Sequence, residues 1–144
     1  MTRQYPRFEC FGAYNEMMGR YYLERKAFAD EKPVAYVTSG APVEVLEALG
    51  VLTIYPENYG ALCGARKLSV TLCEFAEAEG YAADLCSYAK GHIAASWFPE
   101  QAPLDGLPAP DMLVCCNNIC GTVLKWYQAL ADFYHCPLFF LDVP

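Results

Sequence analysis

Apolar residues along the chain follow two spacings, one typical of amphipathic helices and one typical of short buried strands. The helical spacing predicts five helices, at residues 9–30, 42–49, 58–79, 84–97 and 119–134. Short, largely apolar runs predict four strands, at residues 34–37, 51–55, 112–115 and 137–141. Four prolines lie between residues 98 and 111 and predict a segment without regular structure.

Short apolar strands that alternate with helices are typical of a parallel sheet with right-handed crossovers. The pattern therefore predicts an α/β fold, a Rossmann-like or flavodoxin-like three-layer domain with a parallel sheet of about four strands. The first helix should pack through its apolar face, which consists of Phe11, Tyr14, Met17, Met18, Tyr21 and Tyr22. The sequence stops directly after a strand, so we expect residues 1–144 to be a single domain of a longer protein.

Composition narrows the class of protein. Hydrophobic residues make up 55% of the chain and charged residues 19%, which indicates a packed globular protein. The net charge of −7 argues against a nucleic-acid partner, because phosphate binding needs concentrated Lys and Arg. The N-terminus lacks the apolar core of a signal peptide, and no run approaches the ~18–20 apolar residues of a membrane span. We therefore expect a cytoplasmic protein without a membrane partner.

The chain has eight cysteines, and in the reducing cytoplasm they are not expected to form a disulfide framework. Their positions are therefore informative about other roles. Cys120 follows a predicted strand and lies in the predicted first turn of a helix, and Cys86 lies near another predicted helix start. The positive end of a helix dipole favours a thiolate, so the two thiols could hold an anionic cluster. The spacing is neither that of a ferredoxin nor that of a structural zinc site. Plain burial, which is common for a free cysteine, remains the alternative for each of them.

Polar residues follow the predicted strands at their carboxyl ends, where ligands collect in parallel sheets. Ser39 and Glu57 each follow one of two neighbouring strands, so both could face one pocket, with Glu57 as a general base. The alternative is a turn-forming serine and a glutamate that interacts with free N–H groups at a helix start. His92 is isolated in the sequence, without a partner at ligand spacing. Dinucleotide, P-loop and GxSxG motifs are absent.

Several short motifs together resemble one known family, the 2-hydroxyacyl-CoA dehydratases, which includes benzoyl-CoA reductase subunits and double-cubane proteins. They occur in the same order and at similar spacing over nearly the whole chain. The motifs are Val37-Thr38-Ser39-Gly40-Ala41-Pro42-Val43-Glu44, Tyr55-Pro56-Glu57-Asn58-Tyr59, Leu85-Cys86-Ser87-Tyr88-Ala89, Cys116-Asn117-Asn118-Ile119-Cys120 and Lys125-Trp126-Tyr127.

The resemblance implies a [4Fe–4S] cluster held by three cysteines per subunit. Cys86 and Cys120 match the first two ligand positions, and the third would lie in a C-terminal domain that these residues lack. It follows that the chain is expected to be the N-terminal domain of a longer, two-domain subunit. Cys116 is an extra thiol near the site and a less favoured alternative ligand. Ser39 and Glu57 match positions that line the substrate pocket and are implicated in proton removal.

The implied reaction is the elimination of water from a 2-hydroxyacyl-CoA to give an enoyl-CoA. It requires a second homologous subunit, and an ATP-dependent iron–sulfur activator protein that supplies one electron to form a ketyl radical from the acyl-CoA substrate. A benzoyl-CoA reductase-type or double-cubane low-potential reductase subunit is the close alternative. A non-catalytic α/β remnant that binds CoA or a partner is the third.

Overall fold

A four-stranded, fully parallel sheet forms the centre of the protein. The structure is a computed structural model, and it describes residues 8–143. The strands are β1 (Val34–Val37), β2 (Leu52–Ile54), β3 (Met112–Cys116) and β4 (Leu138–Leu141). Their order across the sheet is β2-β1-β3-β4, which is the order of the first four strands in a flavodoxin-like domain. The predicted α/β class and the four-stranded parallel sheet are confirmed.

Six helices surround the sheet in the described part of the chain. They are α1 (Phe11–Phe28), α2 (Val43–Ala48), α3 (Pro56–Ala65), α4 (Ser69–Ala78), α5 (Ser87–Trp97) and α6 (Gly121–Tyr134). Among residues 8–143, no helix is both long enough and apolar enough to cross a bilayer.

The sheet separates two apolar clusters of very different size. The larger contains Tyr36 and Leu113 from the strands and receives side chains from α1 and from α3 to α6. The smaller contains Ala35 and Val114 and is covered by α2. On the edge strand β4, Phe139 is 53% exposed, because it lies in register with Val114 on the sparsely covered face. The three layers are therefore unequal, and most of the buried apolar area lies on one side.

The single helix predicted over residues 58–79 is wrong, because the structure has two helices there. α3 ends at Ala65 and α4 begins at Ser69, with Lys67 in a left-handed conformation at φ 61° between them. Cys63 in α3 and Leu72 in α4 are both fully buried. A straight helix over that range would be roughly 33 Å long and would carry its second half away from the core. The break allows both halves to pack.

The predicted apolar face of the first helix is only partly correct. Tyr22 is buried, but Tyr14 is 51% and Met17 is 61% exposed, so the N-terminal half of α1 does not pack on the sheet. The C-terminal half is attached by polar contacts as well. Tyr21 Oη donates to the carbonyl oxygen of Thr53 at 2.6 Å, and Tyr22 Oη donates to Asn58 Oδ1 at 2.8 Å.

The proline-rich segment at residues 98–111 contains some regular structure, contrary to the prediction. Two short 3-10 turns occur there, Pro99–Gln101 and Pro103–Asp105. Both begin with proline, whose fixed φ suits the first position of a helical turn. The buried hydroxyl of Tyr59 donates a hydrogen bond of 2.5 Å to the Pro103 carbonyl oxygen in the second turn, and this bond fixes the segment on the core.

Candidate functional site

The first half of the site is an open hollow at the carboxyl ends of β1 and β2. Ser39, Tyr55, Glu57 and Asn58 line it, and its volume is about 490 Å³. Glu57 lies in the first turn of α3, where free backbone N–H groups favour a carboxylate. The backbone N–H of Ser39 lies 3.4 Å from Glu57 Oε2. The structure therefore brings these two predicted residues together, as expected for the ends of neighbouring parallel strands.

A buried tyrosine in α6 interacts electrostatically with residues of this hollow. The Tyr127 side chain is fully buried, and its hydroxyl has no hydrogen-bond partner in the described structure. Burial raises the pKa of Tyr127 well above its ordinary value, and the charge of the Glu57 carboxylate raises it further. The hydroxyl therefore stays protonated.

The second half of the site contains the predicted cluster thiols. Cys86 is the N-terminal cap residue of α5, and Cys120 is the N-terminal cap residue of α6. Cys120 thus precedes the first helical turn instead of lying within it. Both residues are exposed. A cavity of about 260 Å³ lies between the two helix starts and is lined by their immediate neighbours, Leu85 and Gly121.

A buried ion pair supports the segment before Cys86. Lys90, one turn into α5, has a side chain that is only 4% exposed, and its Nζ lies 2.5 Å from Glu77 Oε1 of α4. The same Nζ donates to the carbonyl oxygen of Ala83 at 2.6 Å. Lys90 thereby fixes the loop that leads from α4 to Cys86. Sequence reasoning missed this residue, although a lysine inside the apolar run Ala89-Lys90-Gly91-His92-Ile93 signals a buried charge with a partner.

The donor set fits two ligands of an iron–sulfur cluster. Thiolates are the usual cluster ligands, and each of these two thiols lies at the positive end of a helix. Within residues 8–143, no group of three His, Cys, Asp or Glu side chains is arranged to hold a metal ion. Two cysteines of this chain could therefore hold part of a cluster, and at least one more ligand would have to come from elsewhere.

His92 belongs to the core and not to the site. It is 1% exposed, and the rings of Tyr36, Tyr59 and Trp126 surround it, with centroids 5.5, 5.9 and 5.6 Å away. Burial lowers the pKa of His92 to about 3, so the ring is neutral near pH 7. This side chain fills space between the sheet and the helices.

Comparisons with known proteins point to one family. A family model described as 2-hydroxyglutaryl-CoA dehydratase, D-component, matches residues 38–144. The (R)-2-hydroxyisocaproyl-CoA dehydratase alpha subunit of Clostridioides difficile is 40% identical over 129 residues, covering 89% of this chain and 31% of that protein. The alpha subunit of lactoyl-CoA dehydratase from Anaerotignum propionicum is 35% identical over 133 residues, covering 83% of this chain and 32% of that protein.

A reductase is similar as well. One of the benzoyl-CoA reductase subunits of Thauera aromatica is 32% identical over 115 residues, covering 79% of this chain and 27% of that protein. The chain spans less than a third of the length of these curated relatives, 27–32% in each case.

Proposed function

The chain belongs to the 2-hydroxyacyl-CoA dehydratase family, and we propose that it forms part of an iron–sulfur subunit that removes water from a 2-hydroxyacyl-CoA to give an enoyl-CoA. Two relatives named as dehydratase alpha subunits support this assignment. The observation that carries it is the convergence of Ser39 and Glu57 on one open hollow. A second homologous subunit would complete the enzyme, since the relatives are named as alpha subunits.

The thiols of Cys86 and Cys120 would hold a [4Fe–4S] cluster, with a third cysteine from a further domain of the subunit. The assignment of these two cysteines as ligands is supported by their positions at the starts of α5 and α6, where backbone N–H groups offset negative charge. The cluster, when bound, would supply one-electron chemistry at low potential. The electron would enter from a separate ATP-dependent iron–sulfur activator protein. Lys90 would keep the loop before Cys86 in place through its contacts with Glu77 and Ala83.

Glu57 would act as the base that removes the β-proton of the substrate. A carboxylate is too weak a base for an ordinary acyl-CoA β-hydrogen, so one-electron reduction to a ketyl radical and loss of the hydroxyl group as hydroxide would come first. After the β-proton is removed, the product radical would return its electron, so that the elimination of water is redox-neutral overall. The Ser39 hydroxyl, exposed at the same hollow, would orient the thioester. The Ser39 backbone N–H would orient the Glu57 carboxylate, which lies 3.4 Å away.

A low-potential reductase subunit is the second candidate. Its support is the 32% identity to the Thauera aromatica benzoyl-CoA reductase. In that function the same residues would hold the cluster and the CoA thioester, but the substrate would gain electrons instead of losing water. Assays with a 2-hydroxyacyl-CoA and with benzoyl-CoA under the same reducing conditions separate the two functions.

The pocket assignment is tested in the full-length protein, assembled anaerobically with its partner subunit and activator. We expect Glu57→Gln to lower kcat roughly 100-fold or more, because the amide cannot accept the proton. Glu44→Gln is the matched control, since Glu44 is an exposed glutamate in the first turn of α2 outside the hollow. Ser39→Ala should raise KM and lower kcat while iron content stays constant. Unchanged turnover in both Ser39→Ala and Glu57→Gln would refute the assignment.

A further inference from the structure

Two loops at the carboxyl end of the sheet meet at one buried thiol. The Sγ atom of Cys116 lies 3.0 Å from Thr38 Oγ1 and 2.9 Å from Asn118 Oδ1. Thr38 precedes Ser39 in the loop after β1, and Asn118 lies two residues before Cys120 in the loop after β3. A single side chain thus contacts the loop of the substrate hollow and the loop of a cluster thiol.

The hydrogen bonds around this thiol form a chain in which each group donates to the next. The backbone N–H of Cys116 donates to Thr38 Oγ1 at 3.3 Å. The Thr38 hydroxyl proton is then free to point at the Cys116 sulfur, and the thiol donates its own proton to Asn118 Oδ1. Thr38 and Cys116 are buried, and a polar network in which each donor has an acceptor favours one arrangement of the groups it joins.

Gly40 shows how tightly the first loop lies against this thiol. A Cβ atom built at Gly40 would lie 2.8 Å from Cys116 Sγ and 2.8 Å from Asn118 Oδ1. Real Cβ atoms essentially never approach other atoms so closely, so a side chain at this position would require the Cys116 or the Asn118 side chain to move. The loop after β1 therefore packs directly on the sulfur and the amide.

We propose that Cys116 is a positioning residue: its thiol locks the Ser39 loop to the loop that leads to Cys120. This inference rests on the proposed function, which places Ser39 in the substrate hollow and Cys120 at the cluster. Cys116 is 1% exposed and its sulfur contacts two partners, whereas Cys86 and Cys120 are exposed. The thiol lock, formed by Thr38, Cys116 and Asn118, would hold the hollow and the cluster thiol at a constant separation during turnover.

The test compares Cys116→Ala, Cys116→Ser and Cys115→Ala in the full-length protein with its partner subunit and activator. Cys115 is the matched control, because it is buried in the same strand and its thiol makes no contact with either loop in the hydrogen-bond network. Cys116→Ala removes two side-chain hydrogen bonds and should lower kcat roughly 10- to 100-fold, with a smaller change in KM. Iron content should stay at the wild-type level. Cys116→Ser, whose hydroxyl can replace the thiol, should restore most of the activity.

A second readout does not depend on turnover. Amide hydrogen exchange should rise together at residues 39–41 and 117–120 in Cys116→Ala, and at neither segment in Cys115→Ala. Equal effects of Cys116→Ala and Cys115→Ala on activity and exchange would overturn the thiol lock. Iron lost in proportion to activity in Cys116→Ala would overturn it too, since Cys116 would then be a ligand. A wild-type protein without cluster or turnover would refute the proposed function, while the exchange comparison would still decide whether the lock exists.

Discussion

Removal of the Glu77 carboxylate should destabilise the protein much more than removal of the Lys90 ammonium group. The two groups form one ion pair, with 2.5 Å between Lys90 Nζ and Glu77 Oε1. Their surroundings differ, because the Lys90 side chain is 4% exposed and the Glu77 side chain is 35% exposed. Only the lysine would therefore be left charged and buried when its partner is removed.

The expected magnitudes follow from this difference in burial. Glu77→Ala leaves an ammonium group whose remaining hydrogen bond is to the Ala83 carbonyl, and such an uncompensated charge costs about 3–5 kcal/mol. Lys90→Met keeps an unbranched apolar side chain of similar length. The Glu77 carboxylate and the carbonyl oxygen of the exposed Ala83 can then be hydrated by solvent. The cost of that change should be about 1 kcal/mol. The double variant should resemble Lys90→Met, so the coupling energy should be about 3–5 kcal/mol, which is the cost of Glu77→Ala alone.

Urea unfolding of the four proteins, followed by far-UV circular dichroism, measures these free energies. The slopes of the transitions should agree, so that the midpoints alone report the differences in stability. A cost of Lys90→Met that equals or exceeds that of Glu77→Ala would refute the reasoning from burial. It would mean that the hydrogen bonds donated by the ammonium group, and not the penalty for leaving that group unpaired, determine the stability of the loop before Cys86.

Three further predictions concern single residues. The buried His92 ring is neutral with a pKa of about 3, whereas the unfolded chain binds a proton there below about pH 6.5. Its contribution to stability is therefore complete above pH 6.5 and is lost as the pH falls towards 3. The stability difference between wild type and His92→Phe should change by about 1.4 kcal/mol per pH unit in that window, and a constant difference in urea titrations would contradict the neutral ring. Gly40→Ala should lower the melting temperature and increase hydrogen exchange at residues 117–120, because its Cβ would overlap the thiol lock; unaltered exchange would mean that the loops are not in tight contact. Lys67→Gly should stabilise the chain by up to about 1 kcal/mol, because glycine adopts the left-handed conformation without steric cost, and a destabilisation measured by thermal melting would contradict that conformation.

The sheet was predictable from the sequence because its strands are short, largely apolar runs, and residues 34–37 are buried without exception. The break between α3 and α4 was not predictable in the same way. No glycine or proline lies at Arg66, Lys67 or Leu68, so local propensity favours a continuous helix. The break depends on tertiary packing, since both Cys63 and Leu72 must reach the core.

The approach of Ser39 to Glu57 was also predictable, because the carboxyl ends of adjacent parallel strands lie at the same edge of a sheet. The environment of Cys116 was not, because it depends on side-chain directions in two loops that are 78 residues apart in sequence. The positions of Cys86 and Cys120 at helix starts followed from the pattern, but their role as cluster ligands came from the family resemblance and stays a prediction.

The most direct test of the central claim is the anaerobic iron and sulfide content of the full-length protein, with EPR spectra after dithionite reduction. Wild type, Cys86→Ala and Cys120→Ala are compared, and Cys10→Ala serves as control because Cys10 is exposed and lies outside the site. The account predicts about four iron atoms per subunit in wild type and in Cys10→Ala, and loss of iron and of the EPR signal in the other two. Full iron content in Cys86→Ala and Cys120→Ala, or no cluster in wild type, would contradict it.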